Sequence, residues 1–285
     1  MFKKAERKQA RLRLALAGPS GSGKTYSALQ LATGLGGKIA VIDTEHGSAS
    51  LYADLAEFDV MELQAPYSPE RYIEAIKAAE QAGYNVLIID SYSHEWTGAG
   101  GCLEINDAIA KAKYKGNTWS AWNETTPRHR ALIDKILTSP MHIICTMRSK
   151  TETVQGEGKK ILKLGMKSEQ REGSEYEFTV VLDIVHDGNV AVATKDRTKL
   201  FKEPELITPA TGERLLSWLN DGRSQEQQAA ESAQEAIERI PLCETMNELQ
   251  SVYAAAYRQV QGNEDALARL NEAKDKRKAQ LQEAQ

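Results

Sequence analysis

The fold is decided by the stretch Gly18-Pro19-Ser20-Gly21-Ser22-Gly23-Lys24-Thr25, which matches the phosphate-loop pattern G-x-x-x-x-G-K-[ST]. The apolar run from Leu12 to Ala17 before it is typical of a buried strand, and the residues from Thr25 to Leu35 after it have helical periodicity. Glycines let such a loop turn its N–H groups inward around phosphates, and the start of a helix adds a partial positive charge. This order of strand, loop and helix favours nucleotide binding over a glycine-rich turn that matches by chance.

The residues of this loop have distinct expected roles. Lys24 is expected to reach the β- and γ-phosphates of ATP, and the Thr25 hydroxyl is expected to hold Mg²⁺. ATP and Mg²⁺ are therefore the predicted cofactors. The predicted nucleotide contacts along the loop are Gly18, Pro19, Ser20, Gly21, Ser22, Gly23, Lys24, Thr25 and Tyr26.

Composition limits the class of protein. The chain has 285 residues, a net charge of -4 and 27% charged residues, which suits one large α/β domain with a small appendage. No apolar run approaches the length of a membrane span, and the first residues lack a signal-type segment. Three cysteines without paired spacing favour a reduced cytosol, and the five histidines form no zinc motif. A cytoplasmic protein without a membrane partner is expected.

Charge and composition divide the chain into three parts. Residues 1–11 form a basic arm, since residues 1–13 carry six basic side chains and one acidic side chain. A solvated terminus and a nucleic-acid contact both remain open for this arm. Residues 12–220 form the predicted α/β core. Residues 221–285 are predicted to be a linker and a small helical module, with Pro241 interrupting the helical pattern.

Two carboxylates stand at the ends of predicted strands. Glu45 follows the strand at residues 38–43, and Asp90 ends the strand at residues 85–90. Because functional groups of open α/β sheets collect at the carboxyl ends of strands, Glu45 is placed to orient or deprotonate an attacking water. A loop or capping carboxylate is the open alternative for Glu45. Asp90 fits the Walker B pattern, in which the aspartate positions Mg²⁺.

Tryptophans mark the region between the third and fourth predicted core strands. Residues 92–101 are predicted to be a loop with an exposed Trp96. A helix is expected from Leu103 to Tyr114, and another opens at Thr118 and resumes after Pro127. Trp119 and Trp122 lie three residues apart on one helical face, which favours a core position over a base-stacking platform.

Two basic clusters follow the fourth predicted core strand. Residues 148–172 form a long polar segment with four acidic residues and seven basic ones, which suits a mobile loop that contacts a phosphate backbone. An ordinary solvated hairpin is the alternative. Lys195 and Arg197 follow a predicted edge hairpin and could stabilise charge on a transferring phosphoryl group. The predicted DNA contacts are Arg148, Lys150, Lys159, Lys160, Lys163, Lys167 and Arg171.

Several segments together resemble RecA recombinases over about residues 10–220. Ile42-Asp43-Thr44-Glu45-His46-Gly47 is similar to the RecA segment with the catalytic glutamate, and Val86-Leu87-Ile88-Ile89-Asp90-Ser91 is similar to the Walker B strand. The sequence resembles more specifically a phage-encoded ATP-binding branch of that superfamily, some members of which are single-strand annealing proteins. The segments that carry this second resemblance are Trp119-Ser120-Ala121-Trp122, Met147-Arg148-Ser149-Lys150, Arg171-Glu172-Gly173, Tyr176-Glu177-Phe178 and Lys195-Asp196-Arg197.

The resemblance assigns roles. It implies that Glu45 activates water, that Lys195 and Arg197 reach the ATP of a neighbouring subunit, and that the loops near 92–117 and 148–172 face DNA. The sequence departs from the RecA pattern in two places. Thr146 stands where RecA has a glutamine that senses the γ-phosphate. The resemblance does not cover the N-terminal oligomerisation domain of RecA. Annealing or DNA remodelling is therefore expected rather than strand exchange.

The sequence thus predicts a RecA-like P-loop NTPase core, α/β, with a mainly parallel sheet flanked by helices, an antiparallel edge hairpin and a C-terminal helical module. The predicted protein is an ATPase that self-assembles as a ring or filament and binds single-stranded DNA in phage-type recombination, in the cytoplasm of a bacterial host. A single-strand-binding protein is a candidate partner. The alternatives are a DNA motor of helicase or packaging type, a nucleotide or small-molecule kinase, and a variant in which ATP only fixes the assembly state.

Overall fold

The computed structural model of the protein describes residue 4, residues 6–155 and residues 161–283. The chain divides into two compact units. Residues 11–218 form the larger unit, and residues 219–283 form the smaller one together with the described part of residues 1–10.

The larger unit is built on one mixed β-sheet. Its strands are β1 (Arg13–Gly18), β2 (Ile39–Asp43), β3 (Asp59–Glu62), β4 (Val86–Asp90), β5 (His142–Gln155), β6 (Ile161–Ser168), β7 (Val180–Ile184), β8 (Val190–Asp196) and β9 (Glu205–Leu206). Among the described residues the order is β3-β2-β4-β5-β1-β7-β8-β9, and β6 pairs with β5 off this path. The first six strands in that order are parallel, and β8 and β9 are antiparallel. The predicted parallel sheet with an antiparallel edge hairpin is confirmed.

Helices cover both faces of this sheet, so its central strands are buried on both sides. They are α1 (Lys24–Leu35), α2 (Pro69–Gln81), α3 (Ser93–Thr97), α4 (Cys102–Lys113), α5 (Thr118–Thr138) and α6 (Pro209–Asn220). Ala15 and Ala17 of β1 pack in one cluster with buried residues of α2 and α5. Gly34 of α1 meets α6 so closely that a Cβ added to Gly34 would lie 1.9 Å from the carbonyl oxygen of Pro209. Side chains at this crossing would force the two helices apart.

The polar segment at residues 148–172 differs from the expected loop. Strand β5 continues past the sheet to Gln155 and pairs with β6 in an antiparallel hairpin, with a register shift between Glu152 and Thr153. This is the hairpin alternative. Residues 148–155 are mostly polar and show no alternation of apolar residues, so the sequence there does not indicate a strand.

Two further expectations for the helical region were wrong. Residues 93–97 form the short helix α3 within the expected loop, and α5 runs unbroken through Pro127. Proline removes one helical N–H, which leaves the Asn123 carbonyl without its usual donor. Both Asn123 and Pro127 are exposed, so water can satisfy that carbonyl and the helix continues.

The smaller unit is a three-helix module. Its helices are α7 (Gln225–Arg239), α8 (Met246–Val260) and α9 (Glu264–Glu283). Capping boxes begin α7 at Ser224 and α8 at Thr245. Its core includes Leu249 and Leu270, and α7 occupies residues expected to be a linker.

Described residues of the basic arm pair with other residues of this smaller unit. Arg7 forms an ion pair of 3.0 Å with Asp221, and Lys8 forms a β-bridge with Arg223. In the described part of the chain, no helix combines the length and apolarity needed to cross a membrane.

Candidate nucleotide-binding site

The phosphate loop connects β1 to α1 at the carboxyl edge of the sheet. Gly21 and Gly23 have φ values of 75° and 88°, in the left-handed region that glycine adopts at low cost. A Cβ added to Gly18 would lie 2.6 Å from Ser22 Oγ and 2.8 Å from the carbonyl oxygen of Ile184. The glycines of the motif are therefore required by the backbone path itself.

Asn189 braces this loop from another element. It lies in the turn between β7 and β8, and its side-chain amide donates a hydrogen bond of 2.7 Å to the Ser22 carbonyl oxygen. Sequence analysis missed this residue. The only sequence signal was its place beside Gly188 in a predicted turn, which says nothing about a contact 167 residues away.

A cleft of about 390 Å³ opens beside the loop. Lys24 lines it, and the Lys24 Nζ donates a hydrogen bond of 2.8 Å to the Pro19 carbonyl oxygen. Burial lowers the pKa of Lys24, while the carboxylates of Asp90 and Glu45 act in the opposite direction. The lining residues are Ser20, Gly21, Gly23, Lys24, Thr25, Glu45, Ser48, Tyr52, Asp90, Arg148, Ser149, Lys150 and Glu169.

Asp90 ends β4 and faces the loop, at 2% exposure. Thr25 Oγ1 donates a hydrogen bond of 2.6 Å to Asp90 Oδ2, and the Thr146 hydroxyl donates to Asp90 Oδ1. Burial raises the pKa of Asp90, and these two hydrogen bonds oppose that shift. A hydroxyl and a carboxylate in contact fit the oxygen ligands that Mg²⁺ prefers. Thr146 thus supports the carboxylate rather than reaching across the cleft.

Glu45 lies on the loop after β2, which Asp43 holds in place. The Asp43 carboxylate accepts hydrogen bonds from the backbone N–H groups of Glu45 at 2.6 Å and Ala49 at 2.9 Å. This anchoring directs the Glu45 side chain into the cleft that also contains Lys24.

Arg148 pairs with Glu45 across the cleft. Its Nε donates to Glu45 Oε1 at 2.8 Å and its Nη2 donates to Oε2 at 2.7 Å, so the guanidinium binds both carboxylate oxygens. Burial works against ionisation of Glu45, but the hydrogen bonds and charge of Arg148 prevail and lower its pKa. Arg148 was grouped with the basic segment in the sequence, and the structure places its side chain at the nucleotide cleft.

The other predicted DNA contacts are spread over and beside the hairpin. Lys150 lies 3.4 Å from Glu169, and Lys167 lies 3.9 Å from Glu172. Arg171 follows the hairpin, with its guanidinium 5.9 Å from the Trp122 ring centroid. Lys163 belongs to β6, whereas Lys159 and Lys160 lie outside the described residues.

Lys195 and Arg197 lie at the end of β8 and just beyond it, two strands away from β1. The Lys195 Nζ donates a hydrogen bond of 3.1 Å to the Glu175 carbonyl oxygen, and Arg197 is exposed. Neither residue lines the cleft as the described residues form it. Tyr26 is 42% exposed, and its ring meets that of Tyr52 edge-on at 6.2 Å.

The tryptophans of this region are only partly packed. Trp119 is 85% exposed, so its expected core position was wrong. The buried face of α5 contains Ala121, and two residues of helix turn Trp119 about 200° away from it. Trp122 is half-buried and stacks on Trp96 at 5.4 Å, so Trp96 is not the exposed residue that was expected.

A second polar cluster lies buried between α3, α4 and α5. Glu95, Cys102 and His129 bring three ligand-type atoms within 4.8 Å of one another, although the sequence has no metal-site spacing. Cys102 Sγ donates to Glu95 Oε1 at 3.0 Å, His129 Nδ1 lies 3.0 Å from the same oxygen, and Gln170 Nε2 lies 3.3 Å from Oε2. Burial raises the pKa of the Cys102 thiol. These contacts satisfy the Glu95 carboxylate and tie the base of the hairpin to α3.

Together, the strand order, the phosphate loop and the contact between Thr25 and Asp90 define a P-loop nucleoside-triphosphatase fold. A family model described as an AAA domain matches residues 10–221, and the chain belongs to that family. The chain therefore contains an AAA-type ATPase domain. No curated protein gives a significant match to the sequence.

Proposed function

We propose that the protein binds Mg-ATP, hydrolyses it, and couples hydrolysis to self-assembly on single-stranded DNA. The observation that carries the ATPase assignment is the convergence of Lys24, the Thr25–Asp90 pair and Glu45 on one cleft. These groups supply the parts that phosphoryl transfer requires: a cation for the phosphates, oxygen ligands for Mg²⁺ and a carboxylate for the water.

Each of these residues has a separate proposed role in hydrolysis. The loop N–H groups and Lys24 hold the β- and γ-phosphates, and Thr25 with Asp90 would hold Mg²⁺, which neutralises phosphate charge when bound. The oxygen of the water attacks the γ-phosphorus while Glu45 accepts a proton from that water. The bond between the γ-phosphorus and the oxygen that bridges it to the β-phosphate breaks. ADP and phosphate are the products.

The DNA assignment is supported by the hairpin of β5 and β6. It extends from the strand that carries Arg148 and begins beside the nucleotide cleft. Its basic residues outnumber its acidic ones, and such surfaces bind phosphate backbones with a salt-dependent affinity. We propose that the hairpin binds single-stranded DNA, that Lys195 and Arg197 complete the site of a neighbouring copy, and that the role is single-strand annealing in phage-type recombination.

Two assays of the purified full chain test this proposal. The first measures phosphate release from Mg-ATP with and without single-stranded oligonucleotide, and the second measures annealing of complementary strands. Stimulation by single strands together with faster annealing supports the proposal. ATPase activity that no single strand changes, without annealing, contradicts the DNA part and leaves the ATPase assignment standing.

A further inference from the structure

Arg148 occupies an unusual position for a residue of a basic hairpin. Its backbone N–H donates a hydrogen bond of 2.9 Å to Ser93 Oγ, which fixes the start of the hairpin to α3, just after Asp90. Its side chain then turns into the cleft, where the guanidinium binds both oxygens of Glu45. The backbone is anchored, while the side chain is 43% exposed and can change partners.

The pair blocks the carboxylate that hydrolysis requires. Arg148 Nε and Nη2 each occupy one Glu45 oxygen at 2.8 Å and 2.7 Å, so a water would have to compete with a charged donor at either oxygen. Such bidentate charge-assisted contacts are stronger than neutral hydrogen bonds. Glu45 is therefore engaged rather than free in this arrangement.

ATP brings a better partner for the guanidinium than the carboxylate. The terminal phosphate carries more negative charge than a carboxylate, and a guanidinium matches phosphate geometry with two parallel donors. Lys24 and Arg148 line the same cleft, and Arg148 contributes to lowering the pKa of Lys24, which places the two cations near each other. ADP lacks the terminal phosphate and offers Arg148 no such partner.

We propose that Arg148 is the γ-phosphate sensor of this site, exchanging Glu45 for the terminal phosphate of ATP and thereby releasing Glu45 to orient water. The exchange rests on the proposed ATPase function and names the residue that separates ATP from ADP. Thr146, two residues before Arg148, does not compete for this role, because its hydroxyl donates to Asp90. It also links the start of the hairpin to the state of the nucleotide.

Binding measurements test the exchange without relying on turnover. The full chain is titrated with Mg-AMP-PNP, which keeps the terminal phosphate, and with Mg-ADP. In Arg148→Ala, the preference for AMP-PNP over ADP should fall by about tenfold or more, while the ADP affinity stays within about threefold. Arg130→Ala removes an exposed arginine of α5 and serves as the matched control with an unchanged preference. An unchanged preference in Arg148→Ala overturns the proposal.

A double-mutant cycle tests the exchange itself. If Arg148 must leave Glu45, then Glu45→Ala strengthens AMP-PNP binding more in the presence of Arg148 than in the Arg148→Ala background. The expected difference between the two backgrounds is about fivefold or more. Equal effects mean that Arg148 stays on Glu45 as a fixed pair, which contradicts the exchange.

The outcomes separate this inference from the proposed function. If the wild-type chain binds neither nucleotide, the ATPase assignment fails before the exchange is reached. If both nucleotides bind and Arg148→Ala loses only affinity for single-stranded DNA, the assignment survives and the sensor role is overturned.

Discussion

Buried and half-buried carboxylates at the cleft are hydrogen-bonded to specific partners. Asp90 has two hydroxyl donors, and Glu45 has the guanidinium of Arg148. Removing one partner of such a group costs more than the hydrogen bond itself, because the remaining charge is left without compensation. Single substitutions here should therefore have large and distinguishable effects.

Glu45→Gln separates binding from chemistry. The amide keeps the shape of the side chain but cannot accept the proton of the attacking water, so hydrolysis should fall by roughly 10²-fold or more while ATP binding is retained. Phosphate release and equilibrium binding are measured on the same preparation. Nearly normal hydrolysis would show that Glu45 is a loop carboxylate, and loss of binding as well would assign it a structural role.

Sequence reasoning found the side chains of this site that carry motif signals. Lys24, Thr25 and Asp90 lie in patterns whose spacing is set by the backbone around a phosphate, so they can be read locally. The contact of Arg148 with Glu45 joins residues 103 positions apart, and no local pattern encodes it. The composition of the polar segment instead suggested a single DNA role for all its cations.

The phosphate loop is supported by the structural elements around it. The loop lies between β1 and α1, and the turn of the β7–β8 hairpin supports it through Asn189. Asn189 has a φ of 52°, which asparagine and glycine tolerate better than other residues. The turn at the end of the β7–β8 hairpin thus contributes to the nucleotide site.

Asn189→Gly tests this support without backbone strain. The substitution keeps the positive φ and removes the hydrogen bond to the Ser22 carbonyl oxygen, so the loop loses one neutral contact. Affinities for ATP analogues and for ADP should fall together by about two- to tenfold, because both nucleotides use the loop. Titration of both nucleotides measures this. An unchanged affinity for both would show that the loop is rigid without the hairpin turn.

The hairpin of β5 and β6 is tested through its charges. Neutralising Lys159, Lys160 and Lys163 together should weaken single-strand binding and flatten its salt dependence, by about 0.7 in slope for each lost phosphate contact. The control neutralises three exposed lysines elsewhere, Lys202, Lys276 and Lys278. If the salt slope is unchanged in the first variant, the DNA surface lies elsewhere, with residues 92–117 as the next region to test.

Regular elements were predictable and irregular ones were not. The core strands could be located because continuous apolar runs indicate burial on both faces, as in β1 and β4. The hairpin of β5 and β6 was only the alternative to a loop, because residues 148–155 are polar and give no apolar period. Helix α3 was missed because five residues are too few for a helical pattern. Trp119 shows that helical spacing places residues on a face without saying which face is buried.

The proposed assembly of several copies involves two cations far from the phosphate loop. Lys195 and Arg197 lie two strands from β1 and do not line the cleft of their own subunit as the described residues form it. If they complete a neighbour's site, each composite site needs one intact half from each copy, as with an arginine finger supplied in trans.

Mixing two inactive variants tests this arrangement. Arg197→Ala and Glu45→Gln proteins should each bind ATP and hydrolyse it poorly, and their mixture should recover part of the activity because some interfaces pair an intact Glu45 with an intact Arg197. Phosphate release is measured after co-assembly is verified by capture of one tagged variant with the other. A co-assembled mixture no more active than either parent would place both cations in their own subunit's site or on DNA.

The central claim is that the cleft beside the phosphate loop hydrolyses Mg-ATP, and steady-state phosphate release tests it most directly. Lys24→Ala removes the charge that is proposed to hold the β- and γ-phosphates, together with the hydrogen bond from Lys24 Nζ to the Pro19 carbonyl oxygen. The folded wild-type chain should release phosphate from Mg-ATP, and folded Lys24→Ala protein should release none above background. Turnover in Lys24→Ala close to that of the wild type would contradict the assignment.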